Sequence, residues 1–216
     1  MKYSALIVAA GKGTRVGLGY NKMFYFLRRY GLTVLEKVTQ AFLEDPNCKQ
    51  IVIVTNRTDM HKIVIEHEVG HIVHVNGGPT RQDSVFQGLM AVSEDVVLIH
   101  DGARPWIDSE SIDRLLEVMD TEKAAILAVK TKDIIKEVED GYITRTINKE
   151  NYQSAQTPQA FQTSIIIDAY LRANEQGVFV NDDAQAIELM TDVKVRVVEG
   201  SYLNNKITTR DDLKGL

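Results

Sequence analysis

Hydrophobic residues in this chain fall into short, nearly continuous runs separated by amphipathic stretches. Tyr3 to Ala10 is an apolar run that stops at Gly11-Lys12-Gly13-Thr14-Arg15. Such a run predicts a strand buried on both faces, as in a parallel sheet. Ile51 to Thr55, Val96 to His100 and Ala124 to Val129 read the same way; Val73 with Val75 predicts an alternating strand, and Lys194 to Val198 a late one. The stretches between them carry helical spacing. Thr33 and Glu36 form a capping-box pair ahead of Val34, Leu35, Val38 and Phe42. Ser84 to Val92 reads as a helix. Ile112, Leu115, Leu116 and Met119 share one helix face, as do Ile166, Ala169, Tyr170 and Ala173. Alternation of strand and helix predicts the α/β class: a Rossmann-like, mostly parallel sheet flanked by helices, with right-handed crossovers, as a single domain over 1–216.

One stretch departs from this alternation. Residues 130–156 hold two β-rich segments, Asp133 to Val138 and Tyr142 to Ile147, around Asp140-Gly141. Asp-Gly between such segments is a strong hairpin signal. An isolated hairpin is marginal in water, so an arm that packs on a second copy of the chain is expected.

Composition narrows the class further. The chain has 216 residues, 44% hydrophobic and 25% charged, close to a globular average. Disorder, collagen and coiled coil are excluded. The net charge of −5 argues against a broad nucleic-acid surface but leaves room for a local basic pocket. The single Cys48 has no internal disulfide partner, and no apolar run reaches the ~18 residues that span a bilayer. A cytoplasmic protein, bound to neither membrane nor nucleic acid, is the expectation.

The loop from Gly11 to Lys22 carries the sharpest chemistry. It leaves the carboxyl end of the first strand, where open α/β sheets bind ligands. Gly11, Gly13 and Gly17 allow close backbone approach to a polyanion, and Lys12, Arg15 and Lys22 add positive charge. It is neither a P-loop, since Leu6 stands where a glycine is required, nor a dinucleotide fingerprint, whose third glycine is replaced by Val16. Gly77-Gly78-Pro79-Thr80-Arg81-Gln82-Asp83-Ser84 is a turn entering a helix, capped by Thr80 or Ser84. Its backbone suits a base edge, and Arg81 or Ser84 suits ribose or phosphate. His100-Asp101-Gly102-Ala103-Arg104-Pro105 follows a buried strand: Asp101 suits a metal or hydroxyl, and Arg104 suits a phosphate, although a structural Asp–Arg pair fits equally well. Thr157 in Gln156-Thr157-Pro158-Gln159 offers a hydroxyl, and Lys149 and Lys206 matter only if the fold gathers them. His67-Glu68-Val69-Gly70-His71 matches the zincin pattern. However, Gly70 weakens a helix there and the following residues alternate as a strand does, so a helix end is the preferred reading.

Taken in order, Ala9 to Arg15, Lys22, Gly77 to Val85, His100 to Pro105, Thr157 to Phe161 and Asn204 to Thr208 resemble the motifs of the 2-C-methyl-D-erythritol 4-phosphate cytidylyltransferase family. The resemblance spans about residues 4–212. It implies transfer of a cytidylyl group from CTP to methylerythritol phosphate with release of pyrophosphate, using Mg²⁺, in non-mevalonate isoprenoid synthesis. It further implies that Arg15 and Lys22 stabilise the transition state. Lys206 and Lys149 position the sugar phosphate. Ala9, Ala10, Gly11, Gly13, Gly78 and Ser84 fall where the family binds the nucleotide, and Asp101 and Thr157 where it meets the sugar phosphate; on their own chemistry Arg81 is added to the nucleotide set and Arg104 to the sugar-phosphate set. The metal ligands are left open. The family is a homodimer with interlocking β-arms, in accord with the hairpin. Lys149 stands where the family usually has Arg, Asn21 where many members have Pro, and Asn205 where an apolar residue is usual. A ribitol-5-phosphate cytidylyltransferase is the nearest rival; Ala9-Ala10-Gly11 and Gly102-Ala103 favour methylerythritol phosphate. A non-catalytic nucleotide-binding regulator is the rival of another class, and joint retention of Arg15, Lys22 and Lys206 speaks against it.

Overall fold

The computed structural model describes residues 1–11, 13–59 and 72–214. Lys12 and the His67–His71 motif lie outside the described residues. The central sheet is built from β1 (Tyr3–Val8), β4 (Cys48–Thr55), β5 (Ile72–Asn76), β6 (Val96–Asp101), β7 (Ala124–Lys130), β10 (Gln153–Gln162) and β11 (Arg196–Glu199), while the short β2 (Phe26–Leu27) and β3 (Leu32–Thr33) pair apart from it. The strand order in the central sheet is β11-β7-β10-β6-β1-β4-β5. Every neighbouring pair is parallel except those of β10, which runs antiparallel to β6 and β7.

Period-two alternation divides the core. Along β1, Tyr3, Ala5 and Ile7 point into one hydrophobic cluster and Leu6 into the other. Helices α1 (Val34–Leu43) and α3 (Ser109–Met119) cover the first face with Leu35, Val38, Phe42, Ile112 and Leu115. The second face is covered by α2 (Arg81–Leu89), α4 (Thr163–Glu175) and α5 (Asp183–Met190) through Val85, Leu89, Tyr170 and Ile187. The expected capping box closes α1: Thr33 N donates to Glu36 at 2.6 Å and Glu36 N to Thr33 Oγ1 at 3.3 Å.

Three elements differ from the sequence expectation. The helix expected from Ser84 starts at Arg81, because Thr80 Oγ1 accepts from Asp83 N at 3.1 Å while Asp83 Oδ2 accepts from Thr80 N at 3.0 Å. The ten-residue β10 lies in the middle of the sheet although it is polar and carries Pro158. A proline normally argues against a central strand; here it falls where pairing with β7 is interrupted, between Ala155 and Gln159, so no ladder N–H is lost. The short α5 has a weak apolar pattern and is set by its cap, Asp182, which accepts from Gln185 N at 3.0 Å.

The hairpin forms as β8 (Lys136–Glu139) and β9 (Tyr142–Thr146), which pair with each other in a separate two-stranded sheet. Asp140 and Gly141 both have positive φ (49° and 84°), as a two-residue primed turn requires. Its apolar residues face solvent, with Tyr142 78% and Ile143 63% exposed. No helix among the described residues is long and apolar enough to cross a membrane.

Candidate active site

Chain connection reverses at β1. From β1 the chain runs outward to β4 and β5, then returns to β6 on the other side. A crevice opens beyond the strand ends at such a switch point. Here it encloses about 730 Å³ and is lined by Ala9, Ala10, Gly11, Arg15, Lys22, Asn56, Gly78, Thr80, Arg81, Ser84, Asp101, Ala103 and Lys206, among others.

The loop after β1 is shaped by two turns. Gly13 and Gly17 adopt positive φ (65° and 69°) on either side of a 3-10 turn at Thr14–Val16. Burial of Val16 anchors that turn and Arg15 borders the crevice. Asn21 builds the next turn. Its Oδ1 accepts from Met23 N at 3.2 Å, and its Nδ2 donates to Ala9 O at 3.0 Å and to Asp59 Oδ2 at 3.1 Å. Lys22, immediately after it, donates from Nζ to Ile207 O at 2.5 Å. Burial, then the positive charges of Lys206 and Arg15, hold the Lys22 ammonium below the ordinary lysine pKa.

The second wall is the turn before α2. A Cβ on Gly77 would sit 2.5 Å from the Ala10 Cβ, and one on Gly78 would collide with Asp83, so only glycine fits. Ser84 Oγ accepts from Gly78 N at 3.1 Å and donates to Thr80 O at 2.9 Å, which braces the turn. Arg81 at the start of α2 makes a two-donor pair with Asp183, at 2.9 and 2.8 Å.

The floor is Asp101, at the end of β6. Burial works to raise its pKa, but Arg81, Lys206 and Arg104 outweigh it and bring the carboxyl down to about 2. Lys206 Nζ reaches Asp101 Oδ2 at 2.6 Å. Beneath lies a chain of hydrogen bonds whose directions are fixed by chemistry. A carbonyl only accepts, so His100 Nε2, 3.0 Å from Arg104 O, carries the proton. Its Nδ1 therefore accepts from Thr157 Oγ1 at 3.1 Å, and that oxygen accepts from Asp101 N at 3.0 Å. Complete burial, the largest influence, pushes the His100 pKa down to about 4, so the ring is neutral. The segment after β11 closes the site. Asn204 Nδ2 donates to Thr157 O at 2.8 Å, Ile207 N donates to Ala103 O at 2.8 Å, and Asp212 accepts from Thr208 N and Thr209 N at 2.8 and 2.7 Å. Lys206 is thereby carried to the crevice.

Ten of the residues singled out in the sequence line this one crevice: Ala9, Ala10, Gly11, Arg15, Lys22, Gly78, Arg81, Ser84, Asp101 and Lys206. Gly13 stands behind it, against Lys22. Thr157 is buried beneath it, its hydroxyl engaged with Asp101 and His100. Arg104 is also beneath, donating to Asn204 O at 2.8 Å. Lys149 is elsewhere, at the foot of the hairpin, with Nζ on Lys132 O at 2.9 Å. Asn21, Asp183 and Asn204 shape the site, each acting through another residue; Asn21 and Asn204 stood in the sequence motifs only as neighbours of Lys22 and Lys206, and Asp183 carried no signal of its partner Arg81.

Among the described residues no three acidic, histidine or cysteine side chains cluster as a metal cage. Among the described residues, Asp101 is the one acidic side chain lining the crevice. One ionised carboxylate beside a phosphate pocket suits Mg²⁺, which keeps water and substrate phosphate as most of its ligands.

A mostly parallel sheet with cations gathered at its switch point suits a protein that handles phosphorylated nucleotides, and the solved structures of this shape narrow the class to nucleotidyltransferases. A 4-diphosphocytidyl-2C-methyl-D-erythritol synthase from Anaerococcus prevotii superimposes with a TM-score of 0.86 at 33% identity, over 98% of this chain and 92% of its own. The 2-C-methyl-D-erythritol 4-phosphate cytidylyltransferase of Francisella tularensis gives 0.84 at 32% identity, over 99% and 97%. The 2-C-methyl-D-erythritol 4-phosphate cytidylyltransferase of Shouchella clausii is 39% identical over 99% of this chain and 94% of its own. Residues 3–215 match the family profile of IspD, 2-C-methyl-D-erythritol 4-phosphate cytidylyltransferase, and the chain belongs to that family. It is a nucleotidyltransferase enzyme, which sets aside the non-catalytic reading, and a family and relatives named for methylerythritol phosphate favour that acceptor over ribitol phosphate.

Proposed function

We propose that this chain joins CTP to 2-C-methyl-D-erythritol 4-phosphate, releasing pyrophosphate, in the crevice at the end of β1. The observation that carries the reading is the convergence of Arg15, Lys22 and Lys206 on one pocket of a chain whose net charge is −5. Both substrates are polyanions. At ~4 Å and an effective dielectric of ~20, each pair of like charges repels by about 4 kcal/mol. Opposing charge fixed in advance is the first requirement.

A phosphate oxygen of the sugar phosphate attacks the α-phosphorus of CTP in line, and pyrophosphate leaves. The nucleophile is ionised at neutral pH, so the protein supplies no covalent intermediate. Arg15 and Lys22 stabilise charge that grows on the phosphoryl oxygens. The repulsion that Lys22 feels from Lys206 and Arg15 in the free protein becomes attraction once anionic phosphate lies between them. Lys206, held by Asp101, aims the sugar phosphate, and a ~1 Å misplacement costs about 100-fold. The turn at Gly78 to Thr80, braced by Ser84, receives the nucleotide together with Ala9 to Gly13. Asp101 is the carboxylate that would hold a Mg²⁺, which would supply neutralisation of phosphate charge.

The exposed apolar hairpin is read as an arm that interlocks with a second copy. Lys149 then serves the neighbouring crevice, since it lies outside its own. Cytoplasmic residence fits the absence of a second cysteine. The test is pyrophosphate release with CTP against methylerythritol phosphate and ribitol 5-phosphate in parallel, with and without Mg²⁺. The reading expects turnover with the first acceptor only and loss on chelation; turnover confined to ribitol phosphate overturns it.

A further inference from the structure

Arg81 occupies a place that helix electrostatics disfavours. It is the first residue of α2, where the positive end of the helix dipole repels a cation. Its compensation comes from 102 residues away, at the first position of α5. Asp183 is fully buried, accepts from both terminal nitrogens of Arg81 and also accepts from the Tyr170 hydroxyl at 2.5 Å. A two-point pair fixes the plane of the guanidinium as well as its position. With both terminal nitrogens bound to Asp183, the remaining edge of Arg81 lies along the crevice, Nε 3.6 Å from Asp101 Oδ1. The pair does not explain itself through stability, since a buried ion pair is commonly no better than apolar side chains of the same volume.

We propose that Asp183 is a positioning residue which, by clamping Arg81, fixes the direction of the Asp101 carboxylate, so that Arg81 serves the sugar-phosphate half of the crevice and not the nucleotide. This rests on the reading of Asp101 as a sugar-phosphate contact. Asp101 is then held from two sides, by Lys206 on Oδ2 and by Arg81 facing Oδ1. Neither cation is free to follow the triphosphate, and nucleotide binding is left to the glycine-bearing backbone with Arg15 and Lys22.

Asp183→Asn and Arg81→Lys separate the possibilities. Asp183→Asn keeps the shape and removes one acceptor; Arg81→Lys keeps the charge and removes the fork. For both, KM is measured for each substrate at saturating partner, alongside the melting temperature. The expected result is a KM for methylerythritol phosphate raised about tenfold or more, with KM for CTP within about twofold of the parent protein. An equal or larger rise in KM for CTP overturns the proposal, because Arg81 then serves the nucleotide. Both constants within about twofold also overturn it, because the pair is then merely structural. Should Asp183→Asn fail to fold, Arg81→Lys, whose side chain is 31% exposed, carries the same comparison. Failure of the parent protein to turn over methylerythritol phosphate would instead count against the proposed function, and the two failures are distinct.

Discussion

Lys22→Met separates the electrostatic account of this site from a structural one, because the two predict opposite balances of stability and rate. The substitution keeps an apolar stem of similar length and deletes the ammonium. Among the described residues that ammonium has one hydrogen bond, to Ile207 O at 2.5 Å, and loss of such a bond costs about 1 kcal/mol. Against that loss, burial and the charges of Lys206 and Arg15 all disfavour the charged form. The two contributions offset each other, so the melting temperature should stay within a few degrees of the parent value, roughly the effect of 1 kcal/mol or less in a domain of this size. Turnover should behave differently. Removing one preorganised donor from a charge-stabilising site costs about 3–4 kcal/mol of barrier, or roughly 100- to 1,000-fold in kcat. Arg15→Ala should lose at least ~100-fold by the same argument.

Pyrophosphate release, read beside a thermal melt, measures both quantities. A pH series adds a third. The Lys22 pKa lies below the ordinary 10.5, so the alkaline limb of kcat/KM should begin below the pH at which an exposed lysine titrates. The sign for stability is opposite: a lysine whose folded-state pKa is depressed binds fewer protons folded than unfolded, so stability gains as pH rises through that window, and Lys22→Met removes the gain. Near-parental turnover in Lys22→Met would refute the reasoning. So would a fall in turnover accompanied by a large drop in melting temperature, since Lys22 would then be part of the scaffold.

His100 has a folded-state pKa of about 4 against an ordinary 6.5, so its contribution to stability is complete above pH 6.5 and is lost as pH falls toward 4, by at most about 3 kcal/mol; urea midpoints measured across that range should slope for the parent protein and be flatter for His100→Gln, and parallel slopes would contradict the assignment. Gly78→Ala should cost about 1–3 kcal/mol through collision with Asp83 and weaken CTP binding in calorimetry, whereas Gly11→Ala, where a Cβ meets nothing within 4 Å, should leave the melting temperature near the parent value; equal melting temperatures for the two would be inconsistent with the turn geometry. Mixing Lys149→Ala chains with Lys22→Ala chains should restore about one working site in the mixed dimer if the arm is exchanged; absence of rescue, with both parent variants inactive and dimers present by sedimentation, would reject sharing of Lys149 between subunits.

The parts of the fold that were legible in sequence are those governed by local repetition. The run at β1, the 112–119 helix face and the Thr33–Glu36 box each satisfy a spacing rule, and each forms. Gly77 and Gly78 stood out as a turn, but the reason both must be glycine is the approach of Ala10 and Asp83, which spacing does not reveal. The strand β10 was missed because its residues are chosen for partners and not for pattern. Gln156 donates to Ser201 O at 2.9 Å and Gln159 to Asp182 Oδ2 at 2.9 Å, so polar side chains fill positions where a central strand usually has Val or Ile.

The same distinction governs the site. Arg15 and Lys22 were visible because they fall in one glycine-bearing loop. Asp183 was not, since nothing near it in sequence speaks of Arg81. Lys206 lies between these cases: its motif was legible, but its position depends on Asn204, Ile207 and Asp212 each binding a different part of the chain. An acidic protein that must concentrate positive charge does so by drawing one or two cations from each of several loops, so that no single segment carries a conspicuous basic patch. The cost of that assembly is mutual repulsion, visible at Lys22, and Asp101 with Asp183 offset part of it by holding Lys206 and Arg81 from below. On this account the carboxylates beneath the crevice are as necessary to its function as the cations that line it, and Asp101, paired at 2.6 Å with Lys206, is the residue through which the two layers are joined.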